Sequence, residues 1–420
     1  LVKTTNTDLR VKSFLVFLLI AISTLPFFKQ NFGTYLLLGS VVFTLKELRI
    51  HTEILFFVFA AFAIEIFHNF YFDVYDIAVT RQSMIIIISA IFLIYYIKLD
   101  FLPIYINILY YFSLISFVFF ALYYADSNLV GQFAKAIPST FIKTTVNYGA
   151  EVNQINPIFY NFDSNFLELG RNNGPFWEPT VFATMLVIAQ IFNLLLNKTL
   201  FNKKGIVFTI ALLTTFSTTG FMAYFLLIIF YFLLSNKIRT FTKVIALTAF
   251  IALSVGLFTA LPFLSDKIDN EIEKTDQEMD KYGGDSRLAS AIMDLKEMSE
   301  KTTYVLFGKG HGPDRIAGPD KDVLRNCGDT GLLIEWGLLF TIIYLGFLFY
   351  SFLELAKFFN VHWAFSIAFT IIILVFGFSE AYFNLPLFYC FLFFGFIIKR
   401  YYPYSQPVKS EEEFTELVIS

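Results

Sequence analysis

Arg171-Asn-Asn-Gly-Pro-Phe-Trp-Glu178-Pro179-Thr-Val-Phe-Ala-Thr-Met-Leu-Val-Ile-Ala-Gln-Ile-Phe-Asn-Leu-Leu-Leu-Asn197 joins a polar, turn-rich approach to an apolar run without a charge. Residues 179–197 have the length and composition of a helix crossing a bilayer, which needs roughly 20 mostly apolar residues. Pro179 suits the first helical position, so Glu178 falls at or next to the cap. Gly174 and Pro175 make a tight turn, and Phe176 and Trp177 suit the membrane interface. Gly283-Gly-Asp-Ser-Arg287 repeats the arrangement, with an arginine opening an amphipathic helix. A helix N-terminus already attracts anions and mildly disfavours cations. Arg171 and Arg287 at two such places point to a bound polyanion, with diphosphate the natural candidate.

The rest of the 420 residues fits a membrane setting. The chain is 57% hydrophobic, with 56 Phe and 23 Tyr. Only 15% is charged, against about 25% in soluble domains, and the mean hydropathy is +0.65. The fold class is an all-α polytopic membrane protein. Twelve spans are expected: 13–29, 32–45, 52–70, 82–98, 101–123, 179–197, 204–218, 219–236, 243–263, 331–354, 362–380 and 384–398. The stretch from Phe14 to Phe28 reads as a retained span, not a removed signal peptide. The seventh and eighth spans form a hairpin turning at Thr218-Thr219-Gly220. A net charge of −3 argues against a nucleic-acid partner. Cys327 falls in a loop and Cys390 in a span, so neither a disulfide nor a zinc site is implied.

Basic residues set the orientation. With the N-terminus inside, the cytoplasmic side receives Lys3, Arg10, Lys12, Lys46, Arg49, Lys98, Lys198, Lys203, Lys204, Lys237, Arg239, Lys243, Lys357, Lys399 and Arg400. The short outer loops receive Lys29 and Arg81. The chain then forms one integral-membrane domain, 1–420, with two long outer loops at 124–178 and 264–330. The second loop has an acidic run from Asp266 to Asp280, read as solvated chain without calcium-loop spacing. Leu288, Ala291, Ile292, Leu295 and Met298 follow at helical spacing. They predict an amphipathic helix over 286–300 on the outer membrane surface, with Asp285 as N-cap. The tail after Tyr404 reads as a mobile cytoplasmic end.

Each candidate residue has a structural and a chemical reading. Arg171 either anchors the chain at lipid phosphates or binds a ligand's phosphates, and Arg287 either pairs with the acidic loop or joins that site. Arg315 and Arg325 are further outer cations, in an anion site or solvated. Arginine suits bidentate phosphate recognition better than lysine. His311, in Phe307-Gly-Lys-Gly-His-Gly-Pro313, is a solvated loop residue or a general base. Glu178 is a helix cap, an Arg171 partner or a general base, and Asp329 is another possible base. Glu65, His68 and Glu335 are ionisable groups within spans, which makes them functional suspects.

These segments together resemble the O-antigen polymerase and ligase superfamily, especially Wzy-like polysaccharide polymerases. The resemblance rests on Arg171 to Ala183, on Thr214-Thr-Phe-Ser-Thr-Thr-Gly220, and on Ser286-Arg287 with Leu306-Phe-Gly-Lys-Gly310. It also rests on Thr330-Gly-Leu-Leu-Ile-Glu-Trp-Gly337, and the plan of spans and loops extends it over residues 10–400. It implies a GT-C-like glycosyltransferase of the bacterial inner membrane, with both termini cytoplasmic and two long periplasmic loops. It further implies undecaprenyl-diphosphate-linked glycans as donor and acceptor, no metal or other cofactor, and membrane lipid and a chain-length regulator protein as partners. Arg171 and Arg287 would bind the diphosphate. Ser217-Thr-Thr-Gly220 lacks the arginine that members often have at that turn. Asn326-Cys327 stands where ligases place a His-Asn pair, which leaves the base unassigned. The alternatives are a ligase that moves finished glycan to a lipid or protein acceptor and, behind it, a transporter of lipid-linked sugars.

Overall fold

Residues 179–197 form a helix that is buried along its whole apolar window in the computed structural model. A helix apolar all round belongs in an interior, and this one is the axis of the molecule. The structure describes residues 6–28, 31–44, 51–71, 77–147, 150–234, 286–310 and 327–402, with 241, 243, 248, 273 and 275. The elements begin with α1 (Asn6–Thr24), α2 (Asn31–Ser40), α3 (Thr52–Tyr71), α4 (Ile77–Ile97), α5 (Phe101–Ala125) and α6 (Ser127–Lys135). Then come β1 (Ile142–Asn147), β2 (Ala150–Ile155), α7 (Ser164–Leu167), the central α8 (Pro179–Asn197), α9 (Lys203–Thr214) and α10 (Thr218–Leu234). The chain continues with α11 (Arg287–Ser299), α12 (Thr302–Phe307), α13 (Gly328–Phe358), α14 (Phe365–Ser379), α15 (Pro386–Phe391) and α16 (Phe394–Tyr401).

Among the described residues, four helical runs are long and apolar enough to cross a membrane: Thr52–Tyr71, Thr80–Ala125, Pro179–Asn197 and Gly328–Phe358. The second is interrupted at Lys98, whose φ of 57° is left-handed. Shorter apolar helices cover Gly33–Thr44, Thr218–Leu234 and Phe365–Ser379. The expected span 243–263 lies almost wholly outside the described residues.

In lipid the hydrophobic effect does not draw helices together, so dispersion and close approach hold the bundle. The Phe192 ring of α8 stands edge-on to Phe101, Tyr105, Phe391 and Phe394, with centroids 5.4–6.2 Å apart. Such pairs add roughly 0.5–1.5 kcal/mol each beyond their buried area. Gly220 of α10 packs against Ala183 of α8, where a Cβ would approach to 2.5 Å.

The segments read as long loops hold more structure than the sequence reading assigned them. Asp126 caps α6 by accepting from the Asn128 and Leu129 N–H groups at 3.0 and 3.1 Å. β1 and β2 form an antiparallel hairpin in the register Ile142↔Ile155 to Asn147↔Ala150. Helix α11 matches the expected helix, but its N-cap is Ser286, whose Oγ accepts from Ala289 N–H at 3.1 Å. Asp285 lies outside the described residues. The buried face of α11 matches the expected one in part. Ala291 and Met298 are buried as expected, together with Ala289, Ser290, Met293 and Asp294, whereas Leu288 and Leu295 are exposed. The reason is polar: Asp294 accepts from Thr330 Oγ1 of α13 at 2.6 Å, and that bond turns the acidic residue inward. The turn between α9 and α10 falls at Thr215-Phe216-Ser217, ahead of the expected Thr218-Thr219-Gly220. Ser217 Oγ accepts from Gly220 N–H at 3.2 Å, as a cap does.

Helix α13 breaks at Gly337 (φ 77°, ψ 170°). The Phe307-Gly-Lys-Gly310 strip lies in the break. Lys309 N–H donates to Ile334 O at 2.6 Å, and Gly310 N–H to Glu335 O at 3.0 Å. A Cβ on Gly308 would sit 2.6 Å from Glu335 O and Gly337 N. These glycines therefore serve a backbone-to-backbone seat.

Three of the basic residues assigned to the cytoplasmic side, Lys12, Lys98 and Lys198, each find a partner in the structure. Lys12 Nζ pairs with Asp100 at 2.8 Å and Asp8 at 3.0 Å. Lys98 lies over the Tyr401 ring, and Lys198 over that of Phe359. Stripping one partner from a buried ion pair typically costs about 3–5 kcal/mol. Asp8 remains beside Lys12, so Asp100→Ala is expected to cost less, on the order of 2–3 kcal/mol. Lys357→Ala, at an exposed helical pair, is expected to cost at most about 0.5 kcal/mol. Thermal unfolding in detergent micelles reads both, and equal losses would remove the Lys12–Asp100 pair from the stability account.

Candidate functional site

The loop ahead of α8 is pinned by its own polar groups. Asp163 accepts from Phe166 N–H at 3.1 Å, from Asn165 Nδ2 at 3.2 Å and from Asn173 Nδ2. Gly174, at φ +53°, lies so close to the Phe182 ring that a Cβ would sit 3.1 Å from it. Asn172 Nδ2 donates to Ser116 Oγ of α5 at 3.0 Å and to Thr214 Oγ1 of α9 at 2.8 Å. This scaffold sets Arg171 over the α9–α10 turn. Its Nε donates to Thr215 O at 3.3 Å and its Nη2 to Phe216 O at 3.2 Å. Phe216 has φ 48°, an uncommon conformation for a bulky residue. A guanidinium has five N–H donors, so these two bonds leave Arg171 donors for a ligand.

Arg287 reaches the same region from the start of α11. Its Nε donates to Ser379 O at 2.7 Å, and its Nη2 pairs with Glu380 Oε1 at 3.2 Å. The arginine thus ties the start of α11 to the C-terminal end of α14. Glu178 occupies the N-cap position of α8 in extended backbone, yet its side chain caps nothing. Instead it lies near Glu380, on which its charge acts. Thr219 Oγ1 donates to Ser379 Oγ at 3.2 Å, and Ser217 Oγ to Thr180 Oγ1 at 3.3 Å. A Cβ on Gly328, at the start of α13, would lie 2.9 Å from Ala381 Cα. Next to it, the Asp329 carboxylate packs on Gly377. Asp329 Oδ1 and Glu178 Oε1 are buried without a hydrogen-bond partner among the described residues.

Burial lowers the Arg171 pKa from its ordinary value; Glu178 and Asp163 oppose that, and the positive charge of Arg287 adds to it. Burial, and then the adjacent Glu178, hold Glu380 well above the ordinary glutamate range, against the pull of Arg287. Two guanidinium groups and two carboxyl groups therefore meet where the ends of α8, α10, α11 and α14 converge. Guanidinium groups there suit a phosphate-bearing anion. A carboxylate beside them suits proton transfer.

Arg171, Arg287 and Glu178 come together as a group, with Asp329 next to it. His311, Arg315 and Arg325 lie outside the described residues. Glu335, Glu65 and His68 belong to a different buried cluster. Glu335 accepts from Asn384, which also accepts from Trp336 Nε1 at 3.1 Å. Glu65 accepts from Thr80 Oγ1 at 2.9 Å, and His68 Nε2 meets Phe307 O at 2.6 Å. The sequence reading missed Glu380, although it is the sole acidic residue between Phe358 and Ile398, and a lone carboxylate between apolar stretches is a signal in itself. Among the described residues no three His, Cys, Asp or Glu side chains are grouped to hold a metal ion.

A carboxyl whose folded-state pKa is raised keeps a proton that the unfolded chain releases near the ordinary value of about 4.3. Stability is then full below that value and is lost as pH rises through the raised folded value. Thermal stability in micelles is expected to decline over this window, and Glu380→Gln to flatten the decline. An unchanged slope in Glu380→Gln would place the proton elsewhere. A comparison of the sequence with protein-family models and with curated proteins finds no match.

Proposed function

We propose that this chain is a membrane glycosyltransferase that polymerises undecaprenyl-diphosphate-linked oligosaccharide repeat units into O-antigen or a related surface polysaccharide. The proposal includes a GT-C-like bundle of twelve spans in the bacterial inner membrane, with cytoplasmic termini and the site facing the periplasm. One observation carries it: arginines from two outer loops, 116 positions apart in the chain (287 − 171), meet beside Glu178 and Glu380. A lipid diphosphate is an anionic leaving group that such a pair would hold.

In the reaction the acceptor sugar's hydroxyl oxygen attacks the anomeric carbon of the donor glycan. A new glycosidic C–O bond forms, and the C–O bond to the diphosphate breaks. The electron pair leaves with the lipid diphosphate, whose growing charge Arg171 and Arg287 stabilise. Glu178 takes the hydroxyl proton as general base. The α8 N-terminus adds a positive dipole end at the same place.

Cells carrying Arg171→Ala or Arg287→Ala, with protein level checked by blot, are expected to show the long-chain glycan ladder collapsed to single repeats. Loss of one such charge-stabilising group typically lowers a rate by about 10²–10³-fold. An unchanged ladder in both variants would make the arginines interfacial anchors. Disappearance of single repeats from the cell surface as well would point to export or ligation.

A further inference from the structure

Asn172 is fully buried, and both ends of its amide are engaged. Nδ2 donates to Ser116 Oγ of α5 at 3.0 Å and to Thr214 Oγ1 of α9 at 2.8 Å. Oδ1 accepts from the Tyr160 hydroxyl at 3.3 Å and from Gly174 N–H at 3.0 Å. A primary amide offers two donors and one oxygen with two lone pairs, so nothing is left over for a ligand. The two hydroxyls that it donates to are committed as well. Ser116 donates to Ser113 O at 2.9 Å, and Thr214 to Ala211 O at 2.7 Å. Their oxygens are thus left as acceptors, which an amide nitrogen satisfies and a carboxylate does not. The neighbouring bonds run in register with these. Asn172 N–H donates to Thr214 O at 3.0 Å. Arg171, one residue earlier, takes the next two carbonyls, Thr215 O at 3.3 Å and Phe216 O at 3.2 Å.

We infer that Asn172 is a positioning residue for the anion site: it locks the segment before α8 to α5 and α9, and so holds the Arg171 guanidinium where a diphosphate meets it. This rests on the reading of Arg171 as a diphosphate ligand given above. Asn172 touches no ligand itself and acts through Arg171. An arginine side chain has much rotamer freedom to lose. A site that holds the side chain in place beforehand is spared that cost at the moment of binding. The lock supplies that hold from the backbone outward. It fixes which carbonyls of the α9–α10 turn the Arg171 side chain meets, and therefore which way its remaining donors face.

The test uses purified full-length protein in lipid nanodiscs with inorganic diphosphate as the probe, and reads binding by calorimetry. Asn172→Ala is expected to weaken binding about 10–100-fold, the worth of the charge-assisted hydrogen bonds that a displaced guanidinium gives up. Ser116→Ala removes one partner of the amide and leaves Asn172 in place, so it is expected to weaken binding in the same direction and by less. The background then separates positioning from general packing. In Arg287→Ala protein, Asn172→Ala is expected to keep its full effect. In Arg171→Ala protein it is expected to lose nearly all of it, because the group it acts through is gone. An equal effect in the two backgrounds means a general loss of packing and overturns the inference. Unchanged affinity in both Asn172→Ala and Ser116→Ala overturns it too. Wild type that binds no diphosphate overturns it together with the anion site. A coupled loss in a protein that makes no polymer from lipid-linked repeat unit leaves the positioning role standing and sinks the glycosyl-transfer reading.

Discussion

Backbone N–H and carbonyl groups buried away from water must find partners, so irregular backbone survives in an interior only where other groups pair with it. That constraint organises this molecule. The loop before α8, the turn at Thr215-Phe216-Ser217 and the strip after Ser379 are all irregular, and they cover one another. Asn172 N–H reaches Thr214 O at 3.0 Å, and Arg171 takes the next two carbonyls. Arg287 takes the carbonyl of Ser379. The two arginines are thus structural donors first, and the same geometry brings their positive charge to one place.

The charges explain why the place persists. Buried guanidinium groups alone would repel each other, as Arg287 and Arg171 do. Buried carboxyl groups alone would raise each other's pKa, as Glu178 does for Glu380. Interleaved, each set offsets the other's burial. A buried ionic group is weak evidence for stability, because desolvation often exceeds the Coulomb gain. A four-group cluster tied to helix ends is therefore weak evidence of a stabilising device.

Much of this was legible in the sequence. Apolar run lengths located most helices, and Pro179 fixed the start of α8. The two arginines ahead of helix starts pointed to one site before any contact was known. Three things were harder to read. Glu380 ends a stretch that reads as a plain span, and only the tertiary pairing with Arg287 and Glu178 gives it meaning. The hairpin Ile142–Asn147 and Ala150–Ile155 carried a strand signal in its β-branched residues, which a search tuned to spans passes over. Part of the α11 face was misjudged because periodicity weighs apolar residues alone. The Thr330–Asp294 bond outweighed the burial of Leu288 and Leu295.

The Gly308–Gly337 seat has a consequence for how the second outer loop relates to the bundle. Its contacts are N–H to carbonyl, from Lys309 to Ile334 and from Gly310 to Glu335. Peptide groups are common to every residue, so the joint reads chain path, with side-chain identity fixed at the two glycines, where a Cβ does not fit. A side chain at Gly308 or Gly337 would press on the backbone opposite, so the strip and the helix break that receives it stand or fall together.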